Sequence, residues 1–150
     1  MGTVIKRPKV VSSGQGVTFN ILGHTVTTKL HSWDDNGNYI FEMISPPGSG
    51  IPPHVHDLED EVIYILEGEF DVMIGGESYK ARTGDCLNFS RNIPHSYTNT
   101  ALTDAKTLWF VSPGSSFEEF FTELSQYPPG PPDMDKLNIL CKKYGMKFLI

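Results

Sequence analysis

Between Gly16 and Ser112 no single pattern runs long enough to make a helix. Short stretches rich in Val, Ile, Phe, Tyr and Thr are instead cut every few residues by turn formers, which is how antiparallel β structure reads. The pattern predicts strands over 17–22, 25–31, 39–45, 61–66, 70–74, 78–81, 86–89, 96–100 and 106–111. The breaks between them are chemically explicit: Asp35-Asn36-Gly37-Asn38, Glu67-Gly68 and Gly75-Gly76, the last supplying the positive φ that tight hairpins demand. With no helices between the strands, parallel βαβ winding is disfavoured and an all-β sandwich or closed barrel is favoured.

After Pro113-Gly114 the period changes. Phe117, Phe120, Phe121 and Leu124 fall on one helical stripe, and Ser116 with Glu119 matches a capping box. The prolines of 127–132 then stop any helix, because they remove amide donors and hold φ. Asp133 is the expected N-cap of a second short helix carrying Leu137, Leu140, Cys141 and Tyr144 on one face, with Gly145 as its stop. Both helices are expected to pack on the outside of the barrel. A chain of 150 residues has room for one core. The expected organisation is therefore a single domain over 1–150, with a barrel core at about 16–112 and a helical extension at about 115–150.

Composition narrows the function classes. The chain is 39% apolar and 20% charged, enough to collapse and fold. A formal charge of −6 with no basic run leaves no footprint for phosphate backbones, so no nucleic-acid partner is expected. No apolar run approaches a membrane span, and the first residues lack a signal-peptide core. Gly2 follows Met1 as in myristoylation sites, but Lys6 stands where that signal needs Ser or Thr. Two cysteines, Cys86 and Cys141, do not make a disulfide framework. A reducing, cytoplasmic setting is the expectation, with one bridge between them left open.

The chemistry concentrates in residues 48–68. On a strand, residues two apart face the same side roughly 6.5–7 Å apart, so His54 and His56 can aim both imidazoles at one point. Glu61 opens an apolar β run just past an acidic turn, and His95 opens another. A return strand can bring each toward the same point. Three imidazoles and a carboxylate form a mixed N/O set suited to one divalent transition metal ion, Fe, Mn, Ni, Cu or Zn. With one anionic ligand such an ion keeps about one net positive charge and open positions, which attract an anionic oxygen.

The surrounding residues read more plainly. Asp57, Glu59 and Asp60 are expected to form a hydrated turn, and His24 and His31 to be surface residues. Strand alternation makes Ile63, Ile65, Tyr97 and Asn99 candidate cavity walls. It does not decide whether Phe41 and Met43 or Ile40, Glu42 and Ile44 look inward. Cys86 reads as a small buried hydrophobe.

The spacing Gly48, His54, His56, Glu61, Gly68 resembles the first cupin motif, G-x5-H-x-H-x3–4-E-x6-G, and Gly84, His95 and Asn99 resemble the second, G-x5-P-x-G-x2-H-x3-N. Ser90 replaces that motif's Pro, and Asn92 replaces its Gly, a substitution Asn tolerates because it enters the left-handed region. The resemblance implies a cupin double-stranded β-helix, a jelly-roll barrel with the metal in its mouth and His54, His56, Glu61 and His95 as ligands. The stretch from Pro46 to Gly68, the Phe-rich helix and the Pro-rich tail are similar to the quercetin 2,3-dioxygenase-like group. That similarity implies a metal-dependent dioxygenase acting on a small phenolic or enolic substrate, with Glu61 as catalytic base. The alternatives are a metal-dependent isomerase, epimerase or decarboxylase of a small sugar or acid, and a non-enzymatic binding module. Open jelly-roll edges call for cover, so a homodimer is expected in which the strand 17–22 or Phe148-Leu149-Ile150 covers a neighbour's edge.

Overall fold

The computed structural model describes residues 9–149, so the expectations at Gly2, Lys6 and Ile150 lie outside the described residues. Eleven strands and two helices follow in order: β1 Val17–Ile21, β2 His24–Leu30, β3 Tyr39–Ser45, β4 Gly50–His56, β5 Asp60–Glu67, β6 Glu69–Ile74, β7 Glu77–Arg82, β8 Cys86–Phe89, β9 His95–Asn99, β10 Ala105–Ser112, α1 Ser115–Leu124, α2 Met134–Lys143 and β11 Met146–Phe148. They form a six-stranded sheet, β1-β2-β3-β10-β5-β8, and a five-stranded sheet, β11-β4-β9-β6-β7. Every pairing is antiparallel. This is the expected all-β jelly roll with two short C-terminal helices, and the crossovers between sheets bring β4, β5 and β9 around one end of the core.

Alternation decides which faces look inward. On β3, Tyr39, Phe41 and Met43 are buried while Ile44 is exposed, so Phe41 and Met43 are the inner pair. On β8 the inward side falls to Leu87 and Phe89, which leaves Cys86 exposed, not the buried hydrophobe expected. Cys86 and Cys141 are both free thiols. Burial in apolar surroundings pushes the Cys141 thiol up to about 11.

Two strands escape the sequence pattern. β4 contains Pro52 and Pro53, which argue against a paired strand. The sheet accommodates them through an irregular register on β9 between Ile51 and His54. β11 is only three residues long and pairs with β4 of its own chain, Met146 opposite His56 and Phe148 opposite His54. The C-terminal segment therefore covers an edge within the molecule. No helix among the described residues is long and apolar enough to cross a membrane.

The helices do not lie along the outer wall. Phe117, Phe120, Phe121 and Leu124 of α1 and Leu137 of α2 face a cavity they share with inward residues of both sheets, so the pair closes the barrel mouth. Asp133 caps α2 as expected, accepting from the amides of Asp135 and Lys136. The capping box at Ser116 does not form: α1 starts two residues earlier, with Gly114 as its N-cap and no side-chain cap. Gly114 packs so tightly on the Tyr39 backbone that any Cβ there would collide with it, and its amide donates to the Gly37 carbonyl at 2.6 Å. Close approach to β3 thus excludes a capping side chain. Phe41 joins this helix to the barrel, its ring stacked on Phe117 at 6.0 Å and on Trp109 at 5.6 Å. Phe41→Ala is expected to cost about 3–5 kcal/mol, as truncations of buried aromatics do. At roughly 2–4 °C per kcal/mol for a chain of this size, a thermal melt checks it as a drop of about 6–20 °C.

Candidate metal centre

Antiparallel pairing sets His54 of β4 directly opposite His95 of β9, and the pleat carries His56 to the same face. The donor atoms of His54, His56 and His95 lie within 4.8 Å of one another, and all three rings are buried. Glu61, at the start of β5, completes the group. One carboxylate oxygen is 3.4 Å from His56 Nε2 and the other is 3.4 Å from His95 Nε2. Two donors each about 2.1 Å from a shared ion at near-tetrahedral angles stand about 3.4 Å apart, so these spacings suit a common metal.

Each imidazole is oriented from behind. His54 Nδ1 donates to the Pro52 carbonyl at 2.8 Å, His95 Nδ1 to the Ile93 carbonyl at 3.0 Å, and His56 Nδ1 to Glu59 Oε1 at 2.6 Å. With every Nδ1 used this way, the Nε2 lone pairs are the ones left to converge. That division of labour is the usual mark of metal-binding histidines. Among the described residues His95 Nε2 is buried without a hydrogen-bond partner, an arrangement that is costly on its own and relieved by a cation. The residues present therefore fit a metal.

Electrostatics distinguish the rings. Burial, reinforced by the neighbouring His95 and His56 rings, pushes His54 down to about 4, which keeps it neutral and its lone pair available. Burial would lower His56 too, but the carboxylates of Glu61 and Glu59 outweigh it and hold this ring above its ordinary value. Burial would raise Glu61, yet the imidazoles of His56 and His95 hold it below the usual carboxylate range.

Glu59 corrects the expected hydrated turn. Asp60 is surface-exposed in its pairing with Arg91, but Glu59 is 1% exposed and lies beneath His56. The turn is pinned from α2's end. The Gly145 carbonyl accepts from the Asp57 amide at 2.9 Å, and Gly145, at φ +72, leaves no room for a Cβ beside Asp57 and Leu58. A signal was available in the sequence, since a carboxylate three residues after a ligating histidine can reach back to its Nδ1. Glu59→Ala is expected to weaken metal affinity about 10–100-fold, the usual effect of losing such a partner. Glu59→Gln, which still accepts from Nδ1, should keep most of the affinity. Competition with a chromophoric chelator measures both.

Other residues also depart from expectation. His24 is fully buried, not a surface residue, and lines the same cavity as His54, His56 and Glu61. His31 is half-buried, paired with Glu118 of α1 and stacked on Trp33. Among the expected cavity walls, Tyr97 faces the metal cavity. Ile63 and Ile65 line a separate small void beside it. Asn99 spends its amide on the Ser45 and Thr103 carbonyls, each at 2.9 Å, and so ties loops together. Asn92 adopts φ +65, the left-handed conformation expected of it, and its amide donates to the His56 carbonyl at 2.7 Å.

The metal-facing cavity is about 60 Å³, room for roughly four to six water-sized groups. Its walls are almost wholly apolar, Met43, Trp109, Phe117 and Phe121 among them.

Residues 41–111 match the family model of the cupin domain. A quercetin 2,3-dioxygenase of Bacillus subtilis is 32% identical over 95 residues, covering 61% of this chain and 28% of that protein. The pectin degradation protein KdgF of Dickeya dadantii is 31% identical over 74 residues, 49% of this chain and 66% of that one. The chain thus spans less than two thirds of the length of either curated relative. The crystal structure of a predicted oxalate decarboxylase from Thermotoga maritima superposes with a TM-score of 0.62 at 28% identity, covering 69% of this chain and 97% of that one.

Proposed function

The chain belongs to the cupin superfamily, and from that membership we propose that it is a metal-dependent enzyme of dioxygenase type acting on a small phenolic or enolic substrate. The observation carrying this reading is the convergence of three Nδ1-anchored imidazoles and the Glu61 carboxylate at the end of an apolar cavity. In this reading His54, His56, His95 and Glu61 hold one divalent transition metal. When bound, such an ion supplies Lewis-acid and redox chemistry toward an oxygen-bearing substrate and O₂. The apolar walls exclude water and hold the substrate's carbon frame. Glu61, buried and held ionised by its imidazole neighbours, is placed to take the proton from a substrate hydroxyl.

Size favours small substrates. A cavity of about 60 Å³ is short of what the fused rings of a flavonol require, so the quercetinase likeness is carried over as a reaction class and not as a substrate. The test is oxygen uptake by protein loaded in turn with Fe, Mn, Ni, Cu and Zn, given small enols and phenols, with quercetin as comparison. Uptake with a small enol or phenol supports the proposal, and none under any metal defeats it.

A second reading, oxygen-independent isomerisation or decarboxylation of a small acid or sugar, draws support from the likeness to the Thermotoga maritima protein over nearly its whole length. Substrate turnover under strict anaerobiosis would favour it over the first.

A further inference from the structure

His24 is the one imidazole of the cavity that faces no metal ligand's task. It opens β2, is 0% exposed, and its ring lines the same cavity as His54, His56 and Glu61. Nδ1 lies 2.9 Å from the Ser45 hydroxyl, while Nε2 is buried with no hydrogen-bond partner among the described residues. Leaving such a nitrogen unpaired in an apolar interior is costly, and the Gly50 carbonyl near the ring does not reach it at hydrogen-bonding geometry. Its depth in the cavity is defined by Tyr97, whose ring centre is 6.2 Å away. Tyr97 stands two residues beyond His95 on β9, roughly 6.5–7 Å along the strand. The cavity therefore carries an unpaired imidazole nitrogen as well as the metal-facing residues, on otherwise almost wholly apolar walls.

We propose that His24 is a specificity-determining residue: its Nε2 binds a second oxygen of a ligand whose first oxygen sits at the metal centre. This rests on the metal-centre reading above and narrows its substrate class. The ligand is a small, largely apolar molecule of about six heavy atoms or fewer, with an oxygen function at each end. Because the Ser45 hydroxyl can donate to Nδ1 or accept from it, Nε2 can serve as acceptor or donor. It suits a ligand hydroxyl or a ligand carbonyl equally well.

The experiment uses propionate and 3-hydroxypropionate, which differ by the distal hydroxyl alone. Cobalt(II)-loaded protein is titrated with each acid while the cobalt absorption spectrum is followed, in the wild type, His24→Leu and His24→Gln. Cobalt stoichiometry and thermal unfolding are recorded for each protein. The wild type is expected to bind 3-hydroxypropionate about tenfold more tightly than propionate, as one well-made buried hydrogen bond allows. His24→Leu should lose that preference while holding propionate within about twofold of the wild type, and His24→Gln should recover part of it. Equal binding of the two acids by the wild type, or a preference that survives in His24→Leu, overturns the role of His24 and leaves the metal centre standing. Should His24→Leu fail to fold, the wild-type comparison and His24→Gln decide the matter: no preference in the wild type, or an undiminished one in His24→Gln, overturns the role. A cobalt spectrum that neither acid moves overturns the metal-ligand reading, and this proposal with it.

Discussion

His95→Ala is expected to abolish stable metal binding, weakening it by more than the roughly 100-fold that loss of an orienting partner alone can cost. The ring it removes is held on both sides. Its Nδ1 is anchored on the Ile93 carbonyl, and its face stacks on Phe89 at 4.2 Å. Only Nε2 remains free, and it faces His54, His56 and Glu61. The consequence is readable without any substrate. A metal at 100 times its dissociation constant stabilises the folded state by about 2.7 kcal/mol, or roughly 5–10 °C for a chain of this size. Wild-type protein should show that rise in melting temperature on adding metal, and His95→Ala should not. A variant that melts higher with metal, as the wild type does, would remove His95 from the ligand set.

Glu61→Gln separates two duties that the proposed function gives to one carboxylate. Its oxygens face His56 and His95 at equal distance, as a ligand's would, yet it also lines the cavity where a substrate hydroxyl would lie. Glutamine keeps the shape and one oxygen but cannot take a proton. If Glu61 is chiefly a base, metal content should persist while turnover falls about 10²–10⁴-fold, the range of a lost general base. Loss of metal together with turnover would make it chiefly a ligand. Metal analysis beside the oxygen-uptake assay distinguishes the two.

Much of this was legible in the chain itself, and for a local reason. The pleat alone puts His54 and His56 on one face, and the alternation along β5 and β9 puts Ile63, Ile65 and Tyr97 inside. Turn chemistry placed the hairpins, and Asn92 took the left-handed conformation that its motif position required. Such features depend on neighbours one to four residues away, so a sequence displays them directly.

What only the tertiary structure decided depends on residues distant in the chain. Asp57, Glu59 and Asp60 have nearly the same chemistry, and spacing alone does not choose between Asp57, three residues after His54, and Glu59, three residues after His56. Packing against Gly145 turns Glu59 inward beneath His56 and leaves Asp60 outside with Arg91. The stripe on α1 announced a buried face but not what would bury it, and contact with Phe41 makes it the lid of the metal cavity instead of an outer layer. His24, thirty residues from the nearest member of the metal centre, enters that cavity because β2 pairs with β3. Periodicity says that a side chain has an inner face to seek. Which interior it reaches is settled by long-range pairing, since only the closed barrel brings β2, β4, β5 and β9 around one space.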